Sequence, residues 1–315
     1  MNKRISPAFS EEALFSKSKI YMARGLRAKN EVALDEYQLW ASLALELLAK
    51  SSLSTIHPAL VADPTHYQSL FSACGHPLSP DVKTITAKTL FERLSHVSKK
   101  FDKRIQKFCE QQALRRNSEI HSGESPFSGM SPDAWEAKFW HAAYTLLDIQ
   151  GKELEQWLGA DEAQAPRQLL GDARKATSMM VQTRIDHALE DFKSTHKSEK
   201  KREELIEESK KAKSWAYYDK FDFYVDGYDL HECPACGGMG VMGGTQYDEE
   251  ISDDQDPYDP FTEYVEITYA TEEFACPVCG LRLHGAQEVN ASSLPEEFYE
   301  REEREREFEP DYGND

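Results

Sequence analysis

The chain has 315 residues, of which 40% are hydrophobic and 30% are charged, and its formal net charge is −19. This length exceeds what one hydrophobic core usually supports, so we expect two or three domains. No segment approaches the roughly 20 apolar residues of a membrane span, and the N-terminus lacks the apolar core of a secretory signal. We therefore expect a protein without membrane association.

The negative charge is concentrated in the C-terminal third. Residues 214–315 contain 27 Asp/Glu and 5 Lys/Arg, whereas residues 1–213 contain 29 Asp/Glu and 32 Lys/Arg. Nucleic-acid affinity comes largely from basic side chains that neutralise phosphates. We therefore expect any nucleic acid to be bound by the N-terminal part, and the acidic part to contact a protein.

Helical patterns dominate the N-terminal half. Residues 31–50 carry apolar side chains on two faces, which is typical of a helix in the middle of a bundle. A short helix is predicted at 65–75, with Thr65 as its N-cap, and one long helix is predicted from about residue 81. A further helix is predicted at about 132–158. Together these elements predict an all-α bundle over residues 15–160.

The rest of the chain changes character twice. Residues 161–213 predict a charged helical connector with an apolar stripe that includes Val181 and Phe192; a solvated connector and a partner-binding helix both fit this pattern. Alternating aromatic and β-branched residues predict strands at 217–230 and 262–275. We expect an acidic loop between them, and a frayed helix or disorder in the acidic tail, residues 296–315.

Four of the six cysteines form two CPxC motifs, at 233–236 and 276–279. This spacing lets both thiolates of a motif reach one metal ion, and two such turns predict a closed structural Zn²⁺ site formed by Cys233, Cys236, Cys276 and Cys279. Unpaired thiols indicate a reducing compartment, so the cytoplasm is expected. Residues 214–295 would then be a small β zinc ribbon. The stretch CPACGGMG also fits the glycine-rich knuckle of DnaJ-type chaperones, which we attribute to a shared turn geometry.

The segment RNSEIH contains the remaining candidate site, formed by Arg116, Asn117 and His121 at a predicted helix end. Histidine can accept a proton from a ribose 2′-OH near neutral pH, and arginine can hold two oxygens of an anionic phosphorane. The alternative for His121 is a helix-terminal histidine that faces the last carbonyls. The alternative for Arg116 is a surface salt bridge, and Arg115 could also replace it in the motif.

With these features, residues 31–158 resemble a HEPN domain, the small helical domain of many prokaryotic toxins, defence proteins and RNA-processing factors. RNSEIH matches the RNxxxH form of the motif of that family. The resemblance implies a metal-independent endoribonuclease in which two copies form a homodimer, so that two motifs face each other in one cleft. HEPN families also include members without activity.

The sequence therefore predicts a mainly α, multidomain protein: a HEPN-like bundle, a charged helical connector, a C-terminal zinc ribbon and an acidic tail. The predicted function is an endoribonuclease of the toxin or antiviral defence type, with RNA as substrate and the ribbon as a regulatory or recruitment module. The alternative is a non-catalytic HEPN-like dimerisation protein that binds a partner through its acidic ribbon.

Overall fold

The structure is a computed structural model that describes residues 5–211, 225–255, 259 and 261–306. The chain divides into two compact units, Met1–Lys175 and Ala176–Asp315. The first is helical, and the second contains an antiparallel sheet with the cysteine motifs. The mainly helical composition with a C-terminal sheet agrees with the sequence-based prediction.

The N-terminal unit is built around its second helix. Its helices are α1 (Glu11–Asn30), α2 (Leu34–Ile56), α3 (Tyr67–Ala73), α4 (Ala87–Val97), α5 (Lys103–His121), α6 (Glu136–Ile149), α7 (Leu154–Leu158) and the beginning of α8 (Gln164–Thr195). Helix α2 packs against α1, α4, α5 and α6. Tyr37 and Leu48 are buried on one side of the helix, and Ala49 and Leu53 are buried on another. Its central position confirms the predicted central helix, although its bounds are Leu34–Ile56 rather than 31–50.

The single long helix predicted from residue 81 is wrong, because two helices, α4 and α5, occupy that region. Ser98 is extended (φ −152°), and the Asp102 carboxylate accepts hydrogen bonds from the amides of Arg104 and Ile105, at 2.9 and 2.8 Å. Phe101 in the connection is buried and stacks with Phe91 at 6.2 Å. The apolar pattern therefore continued through a turn, and Asp102 starts a new helix as its N-cap.

Two further boundaries differ from the prediction. The helix predicted over 132–158 is split into a 3₁₀ turn at Pro132–Ala134, α6 and α7, and Gly151 (φ +63°) separates α6 from α7. The short third helix begins at Tyr67 with His66 as its N-cap residue, so Thr65 does not cap it. Left-handed backbone is readily available to glycine, which explains why α6 ends before Gly151.

The C-terminal unit is a five-stranded antiparallel sheet with helices. Its elements after α8 are α9 (Glu199–Ser209), β1 (Gly227–Glu232), β2 (Met239–Ile251), β3 (Thr262–Ala275), β4 (Arg282–His284), α10 (Ala286–Asn290) and β5 (Glu297–Glu305). The strand order is β1-β2-β3-β4, and β5 also pairs with β3. Strand β3 has the predicted bounds, whereas residues 217–224 of the other predicted strand lie outside the described residues.

Part of the predicted connector belongs to this sheet unit. Val181 on α8 is fully buried, and Ile185 and Leu189 pack against the same apolar cluster, which includes Leu283 and Val289. On α9, the Ser209 hydroxyl accepts a hydrogen bond from the Met239 amide at 2.8 Å. The apolar stripe of residues 181–192 is therefore not a solvated face, because it covers the sheet.

The tail differs from the expected frayed helix or disorder, because residues 297–305 form β5. Phe298 is 3% exposed and stacks on Tyr269 with ring centroids 5.0 Å apart. Arg304 donates to Glu263 at 2.8 Å and to Glu249 at 2.5 Å, so it links β5 to β3 and β2. The Phe298–Tyr269 stack and the ion pairs of Arg304 therefore hold β5 in the sheet despite its acidic composition. Residues 307–315 lie outside the described residues.

Candidate functional site

The four cysteines of the CPxC motifs converge at one end of the sheet. The sulfurs of Cys233, Cys236, Cys276 and Cys279 all lie within 4.8 Å of one another. Two of the separations, Cys233 Sγ to Cys279 Sγ and Cys236 Sγ to Cys276 Sγ, are 3.6 Å. The structure thus brings together all four cysteines of the predicted metal site. The first and the last, Cys233 and Cys279, are 46 residues apart along the chain.

The two turns have equivalent backbone geometry. The Gly237 amide donates to the Cys233 carbonyl at 3.0 Å, and the Gly280 amide donates to the Cys276 carbonyl at 2.9 Å. Both glycines are left-handed, with φ +74° and +78°. The Gly238 amide also approaches Cys236 Sγ at 3.4 Å. Each turn therefore directs two sulfurs to the same side, as a tetrathiolate site requires.

The sulfur geometry fits a tetrahedral metal ion. A metal–thiolate distance of about 2.3 Å corresponds to sulfur–sulfur edges of about 3.8 Å, close to the two separations of 3.6 Å. Mutual hydrogen bonding among the four sulfurs lowers the pKa of Cys236 and Cys279 and raises the pKa of Cys233 and Cys276. Four sulfurs complete the coordination, so such a site has no open position for water and is structural rather than catalytic.

The glycines after the first cysteine motif are explained by packing. A Cβ at Gly240 would lie 2.4 Å from the Phe274 ring, and one at Gly244 would lie 2.5 Å from the Ala270 carbonyl oxygen. Phe274 is fully buried beneath this strand. Close approach within the sheet therefore accounts for Gly240 of the CPACGGMG stretch and for Gly244 beyond it.

The second candidate site lies where α5 crosses α2. Arg116 forms an ion pair with Glu46, and Glu46 also accepts a hydrogen bond from Lys50 at 2.9 Å. The side chains of Arg116, Glu46 and Lys50 are only 15%, 15% and 10% exposed. Lys50 also donates to the Thr84 hydroxyl at 3.1 Å. We call Glu46, Lys50 and Arg116 the buried charge cluster.

The carboxylate at the centre of this cluster is ionised. Burial opposes its ionisation, but Lys50 and Arg116 together outweigh burial and hold the pKa of Glu46 below its usual range. The cluster therefore contains two cations and one anion in a largely desolvated position. The Arg116 Nε atom is buried and has no hydrogen-bond partner among the described residues, so the guanidinium is not saturated by Glu46.

Asn117 and His121 lie on a different side of α5 from Arg116. Both residues are exposed, and His121 is the last residue of the helix. Residues five apart on a helix differ by about 140° in direction, whereas residues four apart share a face. Arg116 accordingly continues the inward stripe of Cys109 and Ala113. Within one chain, the predicted site is thus divided into a largely buried arginine and an exposed asparagine–histidine pair.

Glu46 and Lys50 were missed by the sequence reasoning. The signal was present in ELLAK, because a glutamate and a lysine four residues apart occur within a helix that is otherwise apolar on both faces. The alternative arginine, Arg115, has its guanidinium 3.5 Å from the Met130 sulfur and no ion pair with any residue that the structure describes.

The chain matches no protein-family model, no curated protein and no solved structure. The HEPN resemblance therefore rests on the RNxxxH motif and the helical pattern of residues 31–158. Within the described residues, no helix combines the length and apolar character needed to cross a membrane.

Proposed function

We propose that the protein is a metal-independent endoribonuclease of the HEPN type, in which Arg116, Asn117 and His121 act on RNA. The supporting observation is the end of α5, where a guanidinium fixed by Glu46 is followed within five residues by an exposed asparagine and an exposed histidine. An arginine fixed in advance costs little ordering entropy when it binds a phosphate. An exposed imidazole is accessible for proton transfer.

The chemistry needs two proton transfers and one site for negative charge. One imidazole removes the proton of the ribose 2′-OH, and the 2′-oxygen forms a bond to phosphorus. The bond from phosphorus to the 5′-oxygen breaks, and a protonated imidazole gives that oxygen its proton. Arg116 stabilises the anionic phosphorane. The products are a 2′,3′-cyclic phosphate and a 5′-hydroxyl.

Two copies of the chain supply these groups in the proposal. Each protomer contributes one His121 and one Arg116, and within a protomer the two diverge by about 140° around the helix. A homodimer that pairs the exposed ends of α5 brings the two histidines to one cleft. Arg116, which is 15% exposed, must then exchange Glu46 for the phosphate of the RNA. The four cysteines hold a structural Zn²⁺ ion, which stabilises the C-terminal sheet and takes no part in the reaction. A reducing compartment such as the cytoplasm keeps these thiols available.

This proposal is tested by identifying which nucleic acid is cleaved and which chemical groups the product ends carry. Purified protein is incubated, without added divalent ions, with a single-stranded RNA and with the DNA of the same sequence. We expect cleavage of the RNA alone, with 2′,3′-cyclic phosphate ends identified by mass spectrometry. Cleavage of DNA at a similar rate, or 3′-hydroxyl products, would contradict the mechanism because neither involves the 2′-oxygen.

A second candidate function is a non-catalytic dimerisation and protein-binding adaptor. The observation that favours it is the burial of Arg116 against Glu46, since an arginine held by a carboxylate can serve stability alone. The acidic sheet would then bind a basic protein. The two candidates differ in the effect of His121→Ala, because an adaptor would keep all its measurable properties after this exposed residue is replaced.

A further inference from the structure

Helix α1 has an uncompensated positive charge. Between Leu14 and Asn30 it contains five basic residues and no acidic one. Lys29 is neutralised by Glu136, at 2.6 Å. The other four, Lys17, Lys19, Arg24 and Arg27, are exposed and have no carboxylate partner in the part of the chain that the structure describes. This helix is therefore a concentrated source of positive potential on a protein whose overall charge is −19.

Three of these cations form one stripe. Lys17, Arg24 and Arg27 are spaced at i, i+7 and i+10, which places them along one side of a helix over about 15 Å. The opposite side of α1 is buried, with Ser18 and Met22 fully covered. We call Lys17, Arg24 and Arg27 the α1 basic stripe.

Arg24 is held in place by aromatic rings. Its guanidinium carbon lies 4.9 Å from the Trp40 ring centroid and 5.7 Å from that of Tyr21. The two rings themselves are 5.3 Å apart in an edge-on arrangement. Stacking restricts the side chain through its flat face and leaves the N–H groups at its edge for another acceptor. A guanidinium that is oriented before binding favours an anion that accepts two parallel hydrogen bonds, such as the two non-bridging oxygens of a phosphodiester.

We propose that the α1 basic stripe binds the phosphate backbone of single-stranded RNA. The choice of RNA rests on the proposed function, while the charge and spacing of the stripe stand independently of catalysis. A second basic run of this unit consists of Lys99, Lys100, Lys103, Arg104 and Lys107. It is less suitable, because three of its five members are already engaged. Its Lys100 pairs with Asp148 at 2.6 Å, and Lys99 and Arg104 are also engaged in interactions. In this proposal the α1 basic stripe contributes binding affinity for RNA, whereas residues 116–121 cleave the RNA.

The test measures RNA binding separately from cleavage. All variants carry His121→Ala, and binding of a fluorescent single-stranded RNA is followed by anisotropy between 50 and 200 mM salt. The stripe variant replaces Lys17, Arg24 and Arg27 by Gln, which preserves helix propensity. The control replaces three exposed lysines of the other unit, Lys193, Lys200 and Lys201, by Gln and changes the net charge equally.

Loss of three phosphate contacts lowers the slope of the logarithm of the binding constant against the logarithm of the salt concentration by about 2. It lowers the affinity at 0.1 M salt by about 100-fold. We expect this change in the stripe variant and less than a 3-fold change in the control. Equal affinities of the two variants, or no RNA binding by the parent protein, would overturn the proposal. Binding to anionic phosphatidylserine vesicles without binding to RNA would overturn it as well, in favour of a membrane surface.

The outcomes separate this inference from the proposed function. Salt-dependent RNA binding that requires the stripe, in a protein that cleaves no RNA, supports the inference and refutes the nuclease. For the cleavage assay the same three substitutions are made in the chain that keeps His121. RNA cleavage that these substitutions leave unchanged at subsaturating RNA supports the nuclease and refutes the inference. Circular dichroism of each variant checks that α1 remains folded.

Discussion

Replacement of Glu46 by Gln tests the energetic role of the buried charge cluster. The substitution keeps the shape of the side chain but leaves Lys50 and Arg116 as two neighbouring cations, 10% and 15% exposed, without an anion. Removal of one partner of a buried ion pair costs about 3–5 kcal/mol. For a unit of this size, each kcal/mol lowers the melting temperature by about 2–4 °C, so we expect a decrease of about 10 °C.

A matched control is available in the same unit. Glu92 also pairs with a lysine four residues away, Lys88, but at 3.7 Å and with side chains 43% and 77% exposed. Glu92→Gln should therefore change stability by less than about 1 kcal/mol. Differential scanning calorimetry of both variants gives the comparison. If the two variants melt within 1 °C of each other, the buried charge cluster contributes no more to the free energy of unfolding than an exposed ion pair does.

The pH dependence of this effect follows from the lowered pKa of Glu46. A carboxyl with a lower pKa in the folded state stabilises that state above its unfolded pKa of about 4.3, and this stabilisation is lost as the pH falls through the folded value. The difference between wild type and Glu46→Gln should thus be constant from pH 6 to 8 and should shrink below about pH 4. A difference that grows toward low pH would show that Glu46 is protonated in the native state.

Three predictions concern the C-terminal sheet. The purified protein should contain one zinc ion per chain by elemental analysis. Cys276→Ser should lose both the ion and the cooperative melting of the sheet unit. A metal-free wild type with unchanged melting would exclude a structural site. Phe298→Ala should destabilise this unit by about 3–5 kcal/mol in denaturant titrations and expose β5 to proteolysis, whereas a change below 1 kcal/mol would mean that β5 is not docked through this ring. Gly240→Val should lower the melting temperature while leaving the zinc content intact, since its Cβ would lie 2.4 Å from the Phe274 ring, and unchanged melting would contradict this packing.

The features predicted well from the sequence are those encoded locally. The two CPxC turns specify the positions of their sulfurs within four residues each, and the alternation in residues 262–275 specifies β3. The pattern of residues 31–50 likewise identified the central helix, because apolar residues on more than one side of a helix indicate packing against several neighbours. These patterns need no knowledge of what packs against them.

The features that were missed depend on partners distant in the chain. The stretch from residue 81 keeps its apolar stripe through Phe101 because Phe101 fills a gap against Phe91, although the backbone there is not helical. Strand β5 forms because Tyr269 offers a surface to Phe298, which the acidic composition of the tail conceals. The pairing of Arg116 with Glu46 spans 70 residues, so a salt bridge to a nearby glutamate was the only structural alternative visible in the sequence.

The most direct test of the nuclease proposal compares two histidines of the same unit. His121 and His96 are both exposed and lie in the last turn of their helices, α5 and α4, so their local environments are similar. RNA cleavage without added divalent ions is measured for wild type, His121→Ala and His96→Ala. We predict that His121→Ala reduces the rate by at least about 100-fold, as expected for loss of a general acid–base group, and that His96→Ala leaves it unchanged. Cleavage that persists in His121→Ala would contradict the assignment of the site.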